Sequence, residues 1–61
     1  MFTHSVNCVG SDGIVNNTEF DTLASAREFF DDMIVAGKRE LTLLSLENDY
    51  TVLRVWRNSD Y

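Results

Sequence analysis

The sequence predicts an α+β fold, a two-layer ββαββ arrangement with an antiparallel-rich four-stranded sheet and one helix packed on one face. Three observations carry this reading. Apolar residues alternate at the N-terminus, recur at helical spacing in the middle, and form two adjacent runs near the C-terminus joined by a polar connection.

From Phe2 to Val9 the chain alternates, with Phe2, His4, Val6 and Cys8 on one face and Thr3, Ser5 and Asn7 on the other, as a strand requires. Gly10-Ser11-Asp12-Gly13 follows. Its glycines tolerate positive φ and its Ser/Asp pair can cap a reversal. Ile14 to Phe20 reads as a weaker strand, because Asn16 and Asn17 fit a ladder poorly, and an edge position is expected for it. Asp21 or Thr22 supplies the N-cap of a helix at about residues 22–36. Leu23, Ala26, Phe30, Met33 and Ile34 form its apolar stripe, with Phe29 at the border. Gly37 fits the left-handed position after the last turn, with Lys38 and Arg39 beyond the negative end of the dipole. Glu40–Leu46 and Tyr50–Arg57 are two more strands, and Glu47-Asn48-Asp49 joins them as a hairpin. Asn58-Ser59-Asp60-Tyr61 is a polar tail.

With 61 residues the chain is expected to form one domain, 1–61, near the lower size limit for an unaided core. Cys8 is the only cysteine, so no intrachain disulfide forms. One Cys and one His cannot fill a four-coordinate zinc site, and no metal or cofactor is expected. Stability then rests on packing or on oligomerisation. The formal charge is −5, from ten acidic and five basic residues. That balance disfavours nucleic acid and anionic membranes, whose affinity depends on Lys and Arg neutralising phosphate. No stretch approaches the length of a membrane span, and Met1-Phe2-Thr3-His4 lacks the basic and apolar regions of a secretion signal. A reduced, cytoplasmic setting is therefore expected, with the Asn16-Asn17-Thr18 sequon idle.

The last hairpin is the informative element, because apolar residues fall on both of its faces. With a three-residue loop, Leu41, Leu43, Leu53 and Val55 share one face, and Leu44, Leu46, Tyr50, Val52 and Trp56 the other. With a two-residue loop, Leu44, Leu46, Leu53 and Val55 go together, opposite Leu41, Leu43, Tyr50, Val52 and Trp56. One helix covers one face only. Tyr50, Val52, Arg54 and Trp56 are accordingly expected to form a partner-binding sheet face, with Trp and Tyr as anchors. A second copy of the chain would satisfy it, giving a homodimer stacked sheet on sheet. The structural alternatives are that the N-terminal strand or the tail folds over this face, or that a bulge at Leu43-Leu44 turns three leucines inward.

Other constellations are weaker. Glu28, Asp31 and Asp32 cluster at helical spacing and offer an acidic strip to a basic protein partner, or a solvated helix face. Arg54 beside Trp56 suggests a platform for single-stranded bases, against which the overall charge argues. His4 and Cys8 lie two pleats apart with no third ligand. No Ser/His/Asp arrangement, phosphate loop or paired-carboxylate motif stands out, so the chain is not expected to be an enzyme.

The segment Phe20-Asp21-Thr22-Leu23-Ala24-Ser25-Ala26-Arg27-Glu28-Phe29, a strand running into an F-D-T-L-x-x-A helix entry before a hairpin, resembles short bacteriophage and prophage α+β orphan proteins. Ser25 stands where the entry pattern expects Glu. The resemblance implies a protein that binds and inhibits a host factor in the host cytoplasm, and it carries no functional residue across. The expected function is thus a non-catalytic protein–protein interaction, with a structural homodimer and a single-strand-binding module as alternatives.

Overall fold

The computed structural model describes residues 1–47 and 49–60. Five elements follow one another: β1 (His4–Val9), β2 (Val15–Phe20), α1 (Leu23–Val35), β3 (Glu40–Ser45) and β4 (Thr51–Arg57). The strands form one sheet in the order β2-β1-β3-β4, each pair antiparallel. This is the ββαββ architecture that the sequence predicts, with β2 at an edge.

Local chemistry explains each boundary. The β1–β2 reversal closes by a hydrogen bond from Gly13 N to Gly10 O (2.9 Å), with Gly13 at φ +82°. Asp12 Oδ1 accepts from Ile14 N at 2.9 Å and locks that turn. Thr22 is the N-cap in extended backbone, and its hydroxyl accepts from Ser25 N at 3.1 Å. At the other end Gly37 adopts φ +80°. Gly37 N donates to Ile34 O and Lys38 N to Met33 O, the paired bonds of a Schellman cap.

Topology decides what the helix covers. Both β2 and β3 run antiparallel to β1, so they are parallel to each other and α1 is the crossover above β1. The helix packs on β1, β2 and β3, while every Cα of α1 stays more than 8 Å from those of β4. Val6, Cys8, Ala26, Phe30, Leu41 and Leu43 form the buried core, flanked by Phe20, Phe29, Met33, Ile34 and Trp56. Phe20 and Phe29 meet with ring centroids 5.3 Å apart and close the β2 side.

The last hairpin departs from both expected registers. Leu41 pairs with Trp56 and Leu43 with Arg54, but Leu44 pairs with Val52, and the register shifts between Leu43 and Leu44. Leu53 is the extra residue of a β-bulge in β4. The turn also differs. Tyr50 lies before the strand, and both Asp49 and Tyr50 have positive φ, at 60° and 62°. Of the expected connection Glu47-Asn48-Asp49, Asn48 lies outside the described residues, as does Tyr61 of the expected tail.

Candidate functional site

Directly paired residues of adjacent strands point to one face of a sheet. Trp56 and Arg54 therefore lie on the helix face with Leu41 and Leu43, and Trp56 packs against the core. Val52 and Val55, paired with Leu44 and Thr42, lie on the helix-free face. The expected common face of Tyr50, Val52, Arg54 and Trp56 is not formed. An added residue reverses the alternation, so the bulge sends Arg54 and Trp56 to one side and Val52 to the other, while Tyr50 sits in the turn. The register does shift at Leu43-Leu44 as the bulge alternative expects, but the extra residue is Leu53 on β4 and Leu44 stays on the helix-free face, so the inward turn of three leucines at that bulge is not formed as expected.

Helix-free and helix faces differ in character. On the former, β1 and β2 carry the buried Ser5 with Asn7, Asn17 and Glu19, and the Val9–Val15 pair beside the first turn, whereas β3 and β4 present Thr42, Leu44, Val52 and Val55. The larger apolar part is thus the β3–β4 corner of the sheet rather than a whole face. On the helix side, β4 lies outside the reach of the crossover helix and leaves an open groove. Its cavity of about 330 Å³ is lined by Leu23, Arg27, Phe30, Leu43, Leu53 and Arg54.

Each lining residue has a structural reason to be there. Leu23, Arg27 and Phe30 are spaced i, i+4 and i+7, so they form one stripe along the β4 side of α1. Phe30 and Leu43 come from the core and make an apolar floor. Leu53 reaches the helix side because the bulge turns it there beside Arg54. Leu23 remains 40% exposed and Leu53 47%, so the apolar rim reaches solvent above a floor that is itself buried. The Arg54 guanidinium stacks on the Phe30 ring, 4.8 Å from its centroid, and Nη1 donates to Asp31 Oδ1 at 3.5 Å. Among the described residues Arg27 makes no ion pair.

The acidic strip is present as a row of exposed carboxylates at Glu28, Asp31 and Asp32, of which Asp31 reaches toward the groove through Arg54. His4 and Cys8 serve other ends. Thr3 Oγ1 gives its proton to Asp21 O at 2.9 Å, so it accepts from His4 Nδ1 at 2.8 Å, which fixes the proton on that nitrogen. Cys8 is buried in the core against Leu41. Among the described residues no three His, Cys, Asp or Glu side chains gather as metal ligands. No helix is long and apolar enough to cross a membrane.

Sequence reasoning singled out Arg54 but missed Leu23, Arg27, Phe30, Leu43 and Leu53 as a set. The i, i+4, i+7 spacing was the available signal on the helix; nothing comparable marks Leu53. No protein-family model, curated protein or solved structure matches this chain.

Proposed function

We propose that the chain is a small non-catalytic binding protein that acts through protein–protein interaction, and that the groove between α1 and β4 is its contact surface. One observation carries the reading: a groove with an apolar rim at Leu23 and Leu53 left open by the crossover helix, with two guanidinium groups in its lining. A half-exposed apolar depression with polar groups beside it is what an anchor side chain needs. The lining offers no nucleophile and no general base, which supports a binding role over a catalytic one. The resemblance of the Phe20–Phe29 segment to phage proteins supports the narrower reading of a modulator or inhibitor of a host factor, acting in the host cytoplasm.

A homodimer is the second reading, and it rests on the helix-free corner where Val52 is 54% and Val55 64% exposed next to Leu44. Two copies would stack that corner, without Trp56. The single-strand-binding alternative keeps no geometric support, since Trp56 and Arg54 are turned to the helix and Tyr50 stands apart in the turn.

Affinity capture from the source cell separates these readings. A partner protein should be retained by the wild type and by Val55→Asp, and lost with Leu53→Asp. Capture that ignores Leu53→Asp but fails with Val55→Asp would move the contact surface to the helix-free corner.

A further inference from the structure

We infer that the partner segment seated in the α1–β4 groove is an acidic–apolar one: a large apolar side chain packs between Leu23 and Leu53, above Phe30 and Leu43, while a neighbouring carboxylate meets the guanidinium groups of Arg27 and Arg54. The inference rests on the protein-binding reading above and adds the chemistry of the bound segment. Its basis is charge complementarity. The chain carries a net charge of −5 with five basic residues, yet two of those five line one apolar cavity. Arginine is the residue suited to bidentate capture of a carboxylate, and an apolar wall beside it strengthens that contact by excluding water.

The groove's own acid is weakly engaged. Asp31 meets Arg54 at 3.5 Å, with the two side chains 66% and 50% exposed. Such a pair contributes little, about 0–1 kcal/mol, so an incoming carboxylate displaces it at small cost. Arg54 nevertheless stays aimed over the floor, because stacking on Phe30 holds it there independently of Asp31. The cavity, at about 330 Å³, lies at the small end for ligand sites and suits one anchor side chain rather than a whole segment.

Strand addition to the β4 edge is a poorer account of this surface. The bulge at Leu53 breaks the regular row of backbone groups that another strand would pair with. β4 also carries Arg54 and Arg57 and no acidic residue, so pairing with a second copy's β4 would bring like charges together. The partner therefore engages by side chains, and it supplies the negative charge.

The test is selection from a displayed library of random linear peptides against the full-length chain, followed by ¹⁵N-resolved titration with the enriched sequences. Enriched peptides should carry Asp or Glu next to, or one residue from, a Leu or aromatic residue. They should shift the amides of Leu53, Arg54 and Leu23–Phe30. Arg27→Glu should weaken binding about tenfold or more, Arg27→Lys should weaken it less than Arg27→Glu by keeping the charge and losing the bidentate contact, and Asp31→Asn should strengthen it several-fold. Neutral or basic enriched peptides, shifts confined to Leu44, Val52 and Val55, or indifference to both Arg27→Glu and Arg54→Gln would each overturn the inference. So would decanoate shifting the groove resonances when no peptide is enriched. Concentration-dependent shifts of the groove amides in the free protein would make a second copy the occupant, and overturn it too. Where cellular capture still depends on Leu53, such results remove the acidic ligand and leave the binding role standing; where capture also fails, both fall.

Discussion

Tyr50 holds a backbone conformation that its side chain disfavours, with φ at 62° immediately after Asp49 at 60°. Aspartate tolerates the left-handed region; a bulky aromatic residue there is a strained exception. Tyr50 is 67% exposed, so burial among the described residues offsets little of that strain. Tyr50→Gly should therefore raise stability by about 1 kcal/mol in urea unfolding, and a loss of stability would show that the ring contributes contacts outweighing the strain. Phe30 lies at the opposite extreme. It is 1% exposed, sits at the centre of the core and carries the Arg54 guanidinium on its face. Phe30→Ala should cost about 3–5 kcal/mol, a large share of the 5 kcal/mol or so that a domain this small has. A folded variant with near-native midpoint would contradict the placement of Phe30 in the core.

Legibility changes sharply from one element to the next. The helix was readable end to end, because its signals are local: a threonine cap, a stripe at helical spacing and a glycine able to take positive φ. Gly37→Ala tests that end directly, and should destabilise by about 1 kcal/mol by forcing a Cβ into the left-handed region. An unchanged unfolding midpoint would mean that the cap contributes nothing. The first hairpin was equally local, with Asp12 and Gly13 writing the turn. β4 was not. Its pattern Val52-Leu53-Arg54-Val55-Trp56 carries no mark of where an extra residue enters, and one insertion exchanges faces for everything beyond it. The candidate site was hidden for this reason: Arg54 was noticed, but on the wrong face and in the wrong company. Deleting Leu53 should leave both halves of the ladder in register, because Val52 still meets Leu44 and Arg54 still meets Leu43. The deletion variant is thus expected to fold with Trp56 emission unchanged and to lose partner capture. A red-shifted, exposed Trp56 would show that the bulge is needed to seat it.

Over the whole molecule, the sequence argument for self-association weakens once Trp56 is turned inward. The chain exposes 4166 Å², close to the roughly 4,000 Å² expected of a folded monomer of 7.0 kDa. One copy thus closes its surface as an ordinary small monomer does, and the exposed apolar residues that β4 helps to cluster are Leu23 and Leu53 at the groove and Val52 and Val55 at the helix-free corner, apart from scattered ones such as Phe2, Ile14, Val15 and Val35. The crossover explains this asymmetry. A helix linking β2 to β3 lies over β1, and any fourth strand added beyond β3 projects past it. The surface on which binding is proposed is a consequence of topology, and every functional reading here depends on which way β4 faces. Nuclear Overhauser contacts across β4 test that most directly. The account predicts Arg54 side-chain contacts to the Phe30 ring, Trp56 indole contacts to Leu41, and Val52 methyl contacts to Leu44. Trp56 indole contacts to Leu44 and Val52, with none to Leu41, would place the aromatic residue on the helix-free face and contradict it.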